Sequence, residues 1–340
     1  MQRYETKMLS DSDEDIAIAA QLLKSGEVVG IPTETVYGLA ADAENESAVK
    51  KIFEAKGRPS DNPLIVHISD ISMLDRLVSE VSPVALKCAE RFWPGPLTMV
   101  MPKSDSIPYV TSGGLDTVGV RFPSHKTARK IISACGKALA APSANLSGSP
   151  SPTLAKHVLD DMNGRISAIV DGGSCTVGVE STVVSFESGA IRVLRPGMVS
   201  VDMLKEVCDN VIVDKGVLSQ LDISAKVRSP GMKYKHYSPK AQVYIIKGST
   251  RDVVTYLEEH IHTQKDIAVD YCGELAGDHV RVMPYGAAAK EQAQNLFAVL
   301  RKCDDVGAER VFVRCPDTSG EGLAVYNRLL RAAAFRIIDV

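Results

Sequence analysis

KGRPSDNPL, which runs from Lys56 to Leu64, stands between a helical stretch at 46–55 and the apolar run PLIVHI at 63–68. Helix, tight polar loop and buried strand follow one another there, which is the alternation of an α/β fold. Two fixed positive charges, two prolines and small polar side chains crowd the connection, so the backbone is stiff while the polar groups project together. Lys56 and Arg58 also complement the dipole of the helix they end, with Gly57 as a left-handed cap, so taken alone the loop reads better as a basic helix end than as a binding loop. Its company changes the reading. GIPTETVYGLAADA (30–43) and APSANLSG (141–148) are likewise short apolar runs that break into hydroxyl-rich, glycine-punctuated loops. Three such loops make a site.

Outward from that stretch the alternation continues. Residues 13–24 carry apolar side chains at helical spacing and end at Gly26, and VVGIP (28–32) follows as a buried strand. Ser82 and Pro83 open a helix over 83–92, LTMVMP (97–102) and TVGVRF (117–122) are strands, and Ser124 caps a helix that stops at Gly136. The strand ALAAP, which opens into the loop at Ser143, a helix over 153–162, and the strands AIVDGG, STVVSF and AIRVLRPG come next, with ESG between the last two marking a hairpin. A hairpin implies antiparallel pairing. The expectation is a mixed, twisted sheet with helices rather than a purely parallel one.

From 215 to 241 the texture changes to a stretch of little periodicity that ends in a dense basic and aromatic cluster, RSPGMKYKHYSPK at 228–240. The predicted organisation is a first domain over 1–214, a linker over 215–241, and a smaller Rossmann-like α/β domain over 242–340. A passive tether would be Gly/Ser-rich or uniformly polar. The linker therefore reads as a lid, against the plainer reading that its tyrosines cement the two domains together.

Composition bounds the function classes. The chain has 340 residues, 39 Lys and Arg against 42 Asp and Glu, and a formal charge of -3, so nothing favours strong nonspecific nucleic-acid binding. The start, MQRYETKMLSDSDEDIAIAA, lacks the charge order of a signal peptide, and no run reaches membrane-spanning length. Seven scattered cysteines without a CxxC pair read as small core hydrophobes in a reducing cytosol, so a cytoplasmic protein is expected. No GxxxxGK[ST], GxGxxG or GxSxG string occurs, and His260 and His262 are spaced to point apart on a helix. What remains is a set of cations and hydroxyls on loops: Lys56, Arg58, Arg121, Arg195, Ser143, Ser151, Ser181, Thr35 and Thr117. Guanidinium and ammonium groups meet phosphate or carboxylate oxygens, and hydroxyls fill the remaining lone pairs. The ligand should be anionic. Arg121 and Arg195 stand out because each ends an apolar strand, where a side chain can be held at a cleft.

PTETVYGL, the KxR of Lys56 and Arg58 with its DNPL continuation, the SxN of Ser143 and Asn145, and SPGMKYKHYSP (229–239) together resemble the threonylcarbamoyl-adenylate synthase family, in the long form with a YrdC-like domain and a smaller C-terminal domain. The resemblance implies that Thr35, His67, Arg121, Ala141 and Ser181 surround L-threonine, and that Arg58, Asn62, Thr117, Ser143, Ser151 and Arg195 surround ATP. Lys56, Arg58, Ser143 and Asn145 would form a tetrad at the reacting centre, with Tyr234, His236 and Tyr237 reaching the nucleotide from the linker. It also implies the reaction: L-threonine, bicarbonate and ATP, the last with Mg²⁺, give threonylcarbamoyl-AMP and pyrophosphate, and a separate transferase passes the threonylcarbamoyl group to a tRNA adenosine. No protein nucleophile is needed, which suits the missing triad. The rival readings are an RNA-binding module and a regulatory module with a retained nucleotide site.

Overall fold

The computed structural model describes residues 4–60, 62–187, 189–219, 236–272 and 280–340. They fall into two units, one of Met1–Ser147, Ser151–Thr176 and Glu180–Lys233, the other of Gly148–Pro150, Val177–Val179 and Tyr234–Val340. Most of the expected linker, Tyr234 included, lies outside the described residues. No helix among the described residues is long and apolar enough to cross a membrane.

The first unit contains β1 (Lys7–Leu9), β2 (Val29–Ile31), β3 (Gly38–Asp42), β4 (Ile65–His67), β5 (Leu97–Pro102), β6 (Thr117–Arg121), β7 (Leu139–Ala140), β8 (Ala168–Val170), β9 (Thr182–Glu187), β10 (Ala190–Arg195) and β11 (Val211–Val213). They form one sheet in the order β1-β8-β2-β3-β7-β4-β6-β5-β9-β10-β11. Parallel pairs such as β4 with β6 and β5 with β9 alternate with antiparallel ones such as β5 with β6 and the β9–β10 hairpin. The mixed sheet is as expected. Its register matters for the site, because Arg121 pairs with His67 on one side and with Thr98 on the other. Directly paired residues project to the same face, so the three side chains form a row across β4, β6 and β5.

The helices form where capping and apolar spacing coincide. Ser12 accepts the Asp15 amide at the start of helix Asp13–Lys24, whose Ile16, Ala19, Ala20 and Leu23 are buried. Asn45 accepts the amides of Ser47 and Ala48 and starts helix Glu46–Lys56, which Gly57 ends in the left-handed region at φ 62°. A side chain at Gly57 would clash with nothing, so glycine serves conformation there rather than packing. Helix Pro83–Phe92 has the expected Ser82 cap. The expected cap at Ser124 is corrected: helix Lys126–Cys135 begins after His125, which makes no side-chain cap bond. Cys88, Cys135, Cys175 and Cys303 are core residues, whereas Cys208 and Cys315 are half-buried and Cys272 is exposed.

The second unit holds β12 (Gln242–Lys247), β13 (Asp266–Asp270), β14 (Arg281–Pro284), β15 (Arg310–Arg314) and β16 (Ile337–Asp339) in the order β14-β13-β15-β12-β16, every pair parallel. Helices Thr250–His260, Ala289–Asp305 and Gly322–Ala332 supply the crossovers, the arrangement of a Rossmann-like sheet. Tyr237 is buried in this unit, with its ring 5.3 Å from that of Phe297 and beneath the Arg328 guanidinium at 5.7 Å, and the His236 ring lies beside it at 5.6 Å.

Candidate active site

The end of β6 delivers Arg121 into the interior, where it is 4% exposed. Its Nη2 meets Glu34 Oε1 at 2.7 Å, Nη1 donates to Thr35 Oγ1 at 2.8 Å, and Nε donates to the Gly95 carbonyl at 3.4 Å. Burial alone would raise the Glu34 carboxyl, but the charge and hydrogen bond of Arg121, with backbone amides, hold it below the usual carboxylate range. The site thus contains a buried, ionised pair. Of the five guanidinium N–H groups, one on each terminal nitrogen has no partner among the described residues, a spacing suited to the two oxygens of a carboxylate.

Next in the row, His67 is buried with Nδ1 3.2 Å from the Ile65 carbonyl. Burial first, and the Arg121 charge second, push its imidazole down to about 3. His67 is therefore neutral at physiological pH, and its effect on stability has a definite sign. The folded value lies below the unfolded one of about 6.5, so the contribution is complete above that pH and is lost as pH falls from there toward 3. Denaturant titrations between pH 6 and 5, above the main carboxylate range, should give the wild-type chain a steeper loss of stability than His67→Asn, by up to about 1.4 kcal/mol per pH unit. Equal slopes would show that His67 is not held neutral.

Lys56 closes the helix of the central loop and turns inward rather than toward solvent. Its Nζ donates to the carbonyls of Ser143, in a short contact, and of Asn145 at 2.8 Å, while the Lys56 carbonyl accepts the Ser147 amide at 3.0 Å. The KxR and SxN strings are thus clamped through backbone as well as side chain. Burial, and then the charge of Arg58, hold the Lys56 ammonium well below the usual lysine range, against the pull of Asp161 and Glu180. The two loop cations differ in burial. Arg58 leaves the Gly57 cap half-buried, its amide bonded to the Phe53 carbonyl at 3.1 Å. Ser143 bridges to Gly38, and Leu39 and Ala144 bond back across the PTETVYGL segment, so the three loops of the sequence reading lie together.

At the other end of the row, Thr98 Oγ1 lies 2.8 Å from Ser181 Oγ, and Arg195, buried at the end of β10, donates to the Ser181 hydroxyl at 3.3 Å and carbonyl at 3.2 Å. Ser151 donates to Glu180 at 2.5 Å. Ala141 is buried, with its amide spent on the Ile65 carbonyl. Thr117, half-buried at the start of β6, lines a small slot with Ile65, Val100 and Val183. Asn62 is 1% exposed, and neither atom of its amide has a partner among the described residues, although a buried amide without a partner is costly. His236 and Tyr237 belong to the second unit, and the Tyr237 ring is used in its packing. Glu34, Thr33, Thr98 and Glu180 were not among the sequence candidates. Among the described residues, no group of three or more His, Cys, Asp or Glu is placed to hold a metal ion.

A family model described as "Telomere recombination" matches residues 21–197, and one described as "Threonylcarbamoyl-AMP synthase, C-terminal domain" matches residues 199–334. The chain is 45% identical over 327 residues to the threonylcarbamoyl-AMP synthase of Pyrococcus abyssi, covering 96% of each chain. It is 44% identical over 338 residues to that of Bacillus subtilis, covering 98% of this chain and 97% of the relative. The crystal structure of P. abyssi Sua5 complexed with L-threonine matches with a TM-score of 0.92 at 42% identity, covering 98% of this chain and 99% of the other.

Proposed function

The chain belongs to the threonylcarbamoyl-AMP synthase family, and we propose that it joins L-threonine, bicarbonate and ATP into threonylcarbamoyl-AMP and pyrophosphate at the site built on the sheet of its first unit. The observation that carries this reading is the Arg121 guanidinium, buried, charge-balanced by Glu34, and left with two N–H groups for the threonine carboxylate. In that pose the amine attacks the carbon of bicarbonate, and water leaves as the carbamate forms. A carbamate oxygen then attacks the α-phosphorus of ATP, and pyrophosphate departs. No atom of the protein enters a covalent bond, so this chain acts by positioning and by stabilising charge.

In this proposal Arg58, Asn62 and the Lys56 clamp face the nucleotide, with Ser143, Ser151, Thr117 and Arg195 around it, as the class of nucleotidyl transfer requires. Mg²⁺ arrives with ATP as part of the substrate, its ligands being phosphate oxygens and water. The product is a labile mixed anhydride, which a transferase acting on tRNA would consume in the same compartment, the cytosol. Pyrophosphate release from MgATP should require L-threonine and bicarbonate together, with the product identified by mass. Release that ignores threonine would sink the reading.

A further inference from the structure

Thr33 lies under the proposed threonine site, buried to 2% exposure beside the fully buried Thr35. Its Oγ1 is 2.6 Å from the Val36 carbonyl and 2.9 Å from Thr35 Oγ1, and it accepts the Thr35 amide at 3.2 Å. A hydroxyl has one hydrogen to give and two lone pairs to fill. A carbonyl can only accept, so the Thr33 hydrogen goes to Val36. The bond between the two hydroxyls is then donated by Thr35. A guanidinium can only donate, so Arg121 Nη1 fills one lone pair of Thr35. Among the described residues Thr33 is saturated, and Thr35 is left with a single lone pair and no hydrogen.

We propose that Thr33 is a positioning residue that fixes the Thr35 hydroxyl as a pure acceptor, so that it receives a hydrogen bond from a donor of L-threonine, its amine or its hydroxyl. This rests on the reading of the site given above. Without the Thr33 oxygen, the Thr35 proton loses its buried acceptor and is free to turn toward the substrate, where it opposes an N–H or O–H group instead of receiving it. A residue that merely fills space would not control that proton.

Steady-state kinetics on the full chain test this. Thr33→Val should raise KM for L-threonine about five- to tenfold while KM for ATP stays within about twofold of wild type, and Thr33→Ser, which restores the oxygen, should return the threonine KM to near the wild-type value. Competition by L-2-aminobutyrate, which lacks the hydroxyl, locates the donor: a Thr33→Val penalty that persists assigns the amine, and one that vanishes assigns the hydroxyl. Should Thr33→Val not fold, Thr33→Cys, with a weak sulfur acceptor, takes its place and should give a smaller rise in the threonine KM alone. An unchanged threonine KM, or equal rises for both substrates, overturns the inference. A wild-type chain that makes no threonylcarbamoyl-AMP overturns the reading of the site instead, and the two failures are told apart by that control.

Discussion

Replacing Arg121 by methionine is expected to lower folding stability by about 3–5 kcal/mol and to remove saturation by L-threonine at any accessible concentration. The stability loss follows from what is left behind: Glu34, 5% exposed, keeps a carboxylate that has lost the guanidinium 2.7 Å away. The sign of the pH dependence should reverse with it. In the wild type the Glu34 value is depressed, so its contribution is present above the unfolded carboxyl value and is lost as pH falls through the folded one. In Arg121→Met burial, the largest influence, is opposed only by the backbone amides, the folded value rises, and acidification should relieve the destabilisation rather than add to it. Adding Glu34→Gln to Arg121→Met separates the two roles. The double variant should recover much of the stability, because no charge is stranded, yet none of the threonine dependence, because nothing receives the carboxylate. Equal denaturation midpoints for wild type and Arg121→Met would show the pair to be energetically idle, and threonine saturation in the double variant would remove Arg121 from the site.

How much of this could be read from the chain depended on whether the signal was local. Helices 13–24 and 83–92 and strand 97–102 were legible because cap, turn and apolar period agree within a few residues. β3, GLAAD, was not, since glycine and alanine have little β-propensity and the strand exists through its neighbours β2 and β7. β7, two residues long, falls within the expected strand ALAAP, whereas β16 is a short edge with no period to detect. Ser124 has the right chemistry for a cap, but the helix begins two residues later.

Arg121 and Arg195 could be singled out because a cation ending an apolar strand contradicts its surroundings. Their partners could not. Glu34 and Glu180 are lone carboxylates beside hydroxyls, a pattern shared with any solvated turn, and only the fold brings them to Arg121 and Ser151. Lys56 is the instructive case. In sequence it is one of two like charges at a helix end, yet Gly57 separates their directions, so that Lys56 is buried against two carbonyls while Arg58 remains half-exposed.

That division of labour sets the second large effect: Arg58→Lys, which conserves charge, should lower kcat/KM for MgATP about a hundredfold. Arg58 presents a planar fork that can hold two phosphate oxygens at once, whereas a lysine offers a compact point charge on a flexible stem. Lys56 cannot compensate, because two of its Nζ donors are spent on the Ser143 and Asn145 carbonyls and its charge is already weakened by burial and by its neighbour at 58. The Gly57 cap and the Arg58 amide bond to Phe53 are backbone features that lysine retains, so the helix end should persist in the variant. The loss should therefore appear in pyrophosphate release by the folded chain. It should leave KM for L-threonine near its wild-type value, because the threonine contacts proposed here run through Arg121 and Thr35. Turnover within about threefold of wild type in Arg58→Lys would mean that charge alone suffices at this position, and that the fork is not what the phosphates meet.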